Sequence, residues 1–169
     1  GDGDPSSTTL TITINGTNDG VSVNGLDGAG AEETVDESNL PDGSNSNAGA
    51  LTQGGSFSVT APDGLATVTV DGATVFTAGA FVPGKTVDTD LGLLSITGFT
   101  PTTVNGVVTG GTFTYTYLLQ TNSTDGEGVT ESFTVTVTDA DGSSDDADLD
   151  ISRDGQTVHI QPDFKVDMI

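Results

Sequence analysis

The chain has 169 residues, with 25 acidic side chains against three basic ones for a formal net charge of -22; 33% of residues are apolar, and it has no cysteine, no tryptophan and one histidine. This composition excludes a disulfide framework and a thiolate metal site, and no run approaches the ~18 apolar residues of a membrane-spanning helix. Lys85, Arg153 and Lys165 are too few to neutralise a phosphate backbone, so nucleic acid is not expected as a partner. With no such apolar run and a charge that anionic membrane surfaces repel, membrane insertion is not expected either.

Taken in chain order, the apolar residues recur with a period of two. Leu10, Ile12 and Ile14 alternate with Thr9, Thr11 and Thr13. Glu32 to Leu40 comes nearest to a helical stretch, weakened by the β-branched Thr34 and Val35. Phe57 and Val59 then alternate with Ser56, Ser58 and Thr60, and Val68 and Val70 follow Thr67 and Thr69. Phe113, Tyr115 and Tyr117 alternate with Thr112, Thr114 and Thr116, and Phe133, Val135 and Val137 with Thr134, Thr136 and Thr138. Successive side chains of a strand point to opposite faces, so each run has one oily face and one hydroxyl face. Asn24-Gly25, Asp42-Gly43, Asp63-Gly64, Asp71-Gly72, Asn105-Gly106 and Gly110-Gly111 separate the runs and read as turns, because these residues tolerate positive φ. Short half-buried strands between frequent turns predict an all-β, antiparallel sandwich.

The acids are segregated. Leu91 to Thr124 contains none, whereas Glu32, Glu33, Asp36 and Glu37 crowd together, as do Asp139, Asp141, Asp145, Asp146, Asp148 and Asp150. Folded strands in the middle and acid-lined loops or ends would give this pattern. There is also an internal echo at an offset of 139 residues: Asp2-Gly3 matches Asp141-Gly142, and Thr9-Leu10-Thr11-Ile12-Thr13 matches Asp148-Leu149-Asp150-Ile151-Ser152. Low-complexity strands produce short echoes of this kind by chance; the alternative reading is a tandem array. Residues 1–19 would be the closing strand of a preceding repeat plus a linker, and residues 20–153 one sandwich repeat. Residues 154–169 would be an extra strand or the start of a further module.

Several segments resemble the Ig-like extender repeats of large bacterial RTX adhesins exported by type I secretion. Leu10-Thr11-Ile12-Thr13-Ile14-Asn15-Gly16-Thr17-Asn18-Asp19 resembles their inter-repeat linker, and Val35-Asp36-Glu37-Ser38-Asn39-Leu40-Pro41-Asp42-Gly43 the opening of a repeat. Asp63-Gly64-Leu65-Ala66 and Val135-Thr136-Val137-Thr138-Asp139-Ala140-Asp141-Gly142 resemble later parts of it. The resemblance implies an extracellular, Ig-like sandwich on a bacterial surface that binds Ca²⁺ and spaces an adhesive tip from the cell. The glycine-rich nonapeptide of RTX β-rolls is absent, so the module would be a spacer.

Ca²⁺ takes six to eight oxygens, and a divalent ion removes the repulsion between crowded carboxylates. Asp139-Ala140-Asp141-Gly142 sets two carboxylates two residues apart before a glycine, and Asp2-Gly3-Asp4 repeats that spacing. Asn18-Asp19 and Asp36-Glu37 offer further oxygens. The expected metal ligands are therefore Asp2, Asp4, Asn18, Asp19, Asp36, Glu37, Asp139 and Asp141, which the resemblance places at the junction between repeats. The competing reading is that these are solvated loop acids. For Asp148 and Asp150, beside Leu149 and Ile151, the solvated face is the favoured reading.

No catalytic constellation stands out. His159 has no second histidine or cysteine to share a metal, and there is no Gly-x-Ser-x-Gly elbow. The expected function is a calcium-stabilised structural spacer, its partners the neighbouring repeats of its own chain, monomeric as a fragment. The alternative is a carbohydrate- or protein-binding module that grips its target with loops at one pole. That module would need exposed aromatic side chains, and the alternation with Thr predicts that Tyr115 and Tyr117 point inward.

Overall fold

A computed structural model of the chain describes residue 3 and residues 7–12, 19–26, 28, 30–122 and 129–154. Eleven strands make up the described fold: β1 (Ser22–Asn24), β2 (Glu33–Asp36), β3 (Thr52–Thr60), β4 (Leu65–Val70), β5 (Ala73–Thr77), β6 (Ala80–Phe81), β7 (Lys85–Asp88), β8 (Gly92–Val104), β9 (Val107–Leu119), β10 (Val129–Asp139) and β11 (Ser144–Asp154). One sheet has the order β1-β3-β9-β8-β7 and the other β2-β11-β10-β4-β5-β6. The all-β sandwich expected from the alternating pattern is what the chain forms.

The order β1-β3-β9-β8 against β11-β10-β4-β5 is the immunoglobulin arrangement, ABED facing GFC with an added C′ strand. One pairing departs from an all-antiparallel sandwich. β2 runs parallel to β11, with Ile151 to Asp154 opposite Glu33 to Asp36. The first strand of the fold is thus shared between the sheets, β1 joining one edge and β2 the other. The segment between Glu32 and Leu40 is this edge strand followed by a 3-10 turn at Glu37–Asn39, which Asp36 caps by accepting from the Ser38 amide. No α-helix occurs among the described residues.

The inward phase of each strand forms the core. Phe57, Leu94, Phe113, Tyr117, Val68, Phe133, Val135, Leu149 and Ile151 are all essentially inaccessible. Phe113 sits at its centre, stacked on Phe57 with ring centroids 5.2 Å apart and tilted on Phe99 at 4.4 Å. Offset and tilted ring pairs of this kind add to the burial of the rings themselves. The Thr phase faces outward, as on Thr112 and Thr114 of β9.

One expectation needs correction. Gly110-Gly111 is not a turn; it lies inside β9, whose hairpin with β8 turns at Asn105-Gly106. Gly111 has φ 155°, and a Cβ there would lie 2.5 Å from both the Phe99 ring and the Thr100 carbonyl oxygen. The two glycines let β9 pass close between β3 and β8. Residues 7–12, read from the sequence as part of a strand closing a preceding repeat, pair with no strand among the described residues. Leu10 is 81% exposed and Ile12 73%.

Candidate metal-binding poles

Strand directions place the acids at two ends. β3 ends, β4 begins, β10 ends and β11 begins at one pole, together with the Asn105-Gly106 hairpin; the chain enters the sandwich there through Asp19. β11 then runs for 11 residues to the opposite pole, where β2 also ends. At ~3.3 Å per residue the poles are about 30 Å apart. Entry and exit therefore lie at opposite ends of the unit.

The entry pole holds Asp19, Asp63, Asp139 and Asp141. The Asp19 amide donates to Asp63 Oδ2 at 2.9 Å. Asp139 continues the inward phase of Phe133, Val135 and Val137, so it is buried, at 2% exposure. Its Oδ1 accepts from the amides of Asp141 (3.0 Å) and Ser143 (2.8 Å), closing the β10–β11 turn. Its Oδ2 has no hydrogen-bond partner among the described residues. A carboxylate oxygen withdrawn from water without a compensating contact is costly. Asp141 is exposed beside it.

The exit pole holds Asp36 and Glu37. Asp36 Oδ1 accepts from the Ser38 amide at 2.7 Å. Glu37 is 4% exposed, and its Oε1 meets Nη1 of the 1%-exposed Arg153 at 3.3 Å. Sequence reasoning missed this ion pair. The signal was present: Arg153 continues the inward phase of Leu149 and Ile151 on β11. Arg153 Nε and Nη2 find no acceptor among the described residues. Nearby, the Tyr117 hydroxyl donates to Glu131, and burial above all, reinforced by that bond, pushes its pKa up. Burial likewise raises Tyr115, with the charges of Glu33 and Glu32 adding to the effect. Desolvation, then the charge of Glu32, raises the carboxyl of Glu33.

The structure thus keeps Asp19, Asp139 and Asp141 at one pole and Asp36 and Glu37 at the other, too far apart to share an ion within one unit. Asp2, Asp4 and Asn18 lie outside the described residues, as do His159 and the rest of the tail from residue 155. Among the described residues, no three Asp, Glu or His side chains converge as a metal cage. The described acids therefore do not by themselves fit a closed Ca²⁺ site; what they offer is one buried, unpartnered oxygen on Asp139. Asp148 and Asp150 take hydroxyls from the neighbouring strand, Thr134 at 2.8 Å and Ser132 at 2.5 Å, as a solvated strand face does.

The entry pole also carries a shallow groove of about 540 Å³ between Val59, Pro62, Asp63, Val104 and Val107. Among the described residues, no aromatic side chain lines it. Tyr115 and Tyr117 are buried, as their alternation predicts. No helix is long and apolar enough to cross a membrane among the described residues. No family model, no curated protein and no solved structure matches the chain.

Proposed function

We propose that the chain is a structural spacer repeat of a bacterial surface adhesin of the RTX kind, an Ig-like unit joined end to end with its neighbours and stiffened by Ca²⁺. The observation that carries this reading is the placement of chain entry and chain exit at opposite poles, each lined with acids. Units linked in this way extend as a string. The exit pole of one, with Asp36, faces the entry pole of the next, with Asp19, Asp139 and Asp141. Residues some 30 Å apart within a unit thereby become neighbours across a junction.

The charge balance supports the same reading. A chain at -22 repels itself, most strongly where acidic ends abut. A hard divalent ion between them offsets that repulsion. In the reading proposed here, Asp139 Oδ2 contributes the preorganised oxygen, held by the two amides on Oδ1, and acids across the junction supply the remainder. Thermal melts of the chain in EDTA and in millimolar Ca²⁺ test it. An ion bound only to the folded state at a hundredfold excess over Kd stabilises by about 2.7 kcal/mol. Identical melting curves in the two buffers would count against calcium.

A further inference from the structure

Among the described residues, the large apolar side chains standing mostly in solvent are Leu10, Ile12, Val104 and Val107. Leu10 and Ile12 alternate with threonines on a segment that pairs with no strand among the described residues. The apolar alternation of that segment recurs in β11, where Leu149 and Ile151 occupy the positions of Leu10 and Ile12 and are wholly buried. The same local pattern is therefore core in one place and bare in the other, and what differs is the presence of a sheet beside it. Seven residue steps separate Ile12 from Asp19, which is fixed to Asp63 at the edge of the Val104–Val107 groove. At ~3.3–3.6 Å per step that link reaches at most about 25 Å.

From these observations we infer that residues 9–12 are the closing strand of a preceding sandwich of the same topology, with Leu10 and Ile12 in its core where Leu149 and Ile151 sit in this one. The exit pole of that sandwich then seats on the Val104–Val107 groove. This deepens the spacer reading and rests on its end-to-end arrangement. The short link keeps the preceding unit at the entry pole, and Val104 and Val107 are the exposed apolar surface there. Thr9 and Thr11 would face outward from that sandwich, as Asp148 and Asp150 do from this one. Both phases of the alternation are then accounted for.

A two-unit chain tests the assignment: residues 20–147 fused ahead of residues 9–169, so that Thr9 to Thr13 follow the added copy of β10 in place of Asp148 to Ser152. Ile14 then replaces Arg153 in the added unit, which therefore carries Glu37→Met. The expected result is twice the unfolding amplitude of the original chain. Leu10→Asp with Ile12→Asp should remove the added half of that amplitude and leave the other half in place. The same two substitutions in the original chain should leave its melt unchanged. An added unit that fails to fold, or one indifferent to Leu10→Asp and Ile12→Asp, would overturn the assignment. So would a concentration-dependent dimer of the original chain that Leu10→Asp dissolves, since the strand would then serve self-association. Small-angle scattering of the same two-unit chain separates this inference from the spacer reading. Two folded but freely jointed units would remove the stiff spacer and leave the strand assignment standing.

Discussion

The buried pair of Glu37 and Arg153 gives a sharp test of how the exit pole is held. Both side chains are almost fully withdrawn from water and meet at 3.3 Å, in a chain with only two other basic residues. Arg153→Met removes the cation and leaves the Glu37 carboxylate buried without it; Glu37→Met strands the guanidinium, whose Nε and Nη2 already find no acceptor among the described residues. Breaking one side of a buried pair costs about 3–5 kcal/mol. At roughly 4 °C per kcal/mol for a unit of this size, each single variant should melt about 12–20 °C below the parent. The double variant replaces both charges with apolar bulk, and such replacements are often neutral or stabilising. It should recover most of the loss, giving a coupling energy of several kcal/mol in the double-mutant cycle. Urea and thermal melts of the four proteins read this directly. Single variants within 1 kcal/mol of the parent, or a double variant no better than the worse single one, would refute the claim that the pair is desolvated and mutually dependent.

Phe113→Ala should cost about 4 kcal/mol, from a fully buried ring with two close aromatic neighbours, and should lower the urea midpoint without changing the slope. Asp139→Asn should cut the Ca²⁺-induced rise in Tm by at least half relative to the parent, measured as the difference between EDTA and Ca²⁺ buffers so that baseline effects cancel; an unchanged rise would remove Asp139 from the site. Tyr115 and Tyr117 are both raised, first by burial, so the folded state keeps their protons at pH values where the unfolded chain releases them. Their contribution is complete below about pH 10 and declines as pH climbs past it, so pH-dependent melts should show stability falling from that point. Tyr117→Phe should soften the fall.

The period-two pattern made most of the fold legible, because on Phe113-Thr114-Tyr115-Thr116-Tyr117 each second residue has to find a core. The same rule carried further along the strand would have revealed Asp139 and Arg153 as buried, since both continue an inward phase. They were hidden by their type: a charged residue is read as exposed unless its partner is known, and the partner of Arg153 is 116 positions away. Gly110-Gly111 misled for a related reason. A glycine pair is equally a turn and a close approach, and only the neighbours Val59 and Phe99 decide which. The parallel pairing of β2 with β11 leaves no local trace, because it depends on which sheet edge remains open. The separation of the acids into two poles follows from strand direction, which alternation cannot supply.

The parallel pairing also sets how the unit would answer tension. A pull applied at Asp19 and at Asp154 drags β2 and β11 past each other along their length, and β1 and β3 likewise, so their hydrogen bonds are loaded side by side in shear. A hairpin opened from its free end gives up one bond after another; here the rows must fail together. A cable made of such links would hold its length under flow until a threshold force, then release a whole domain at once.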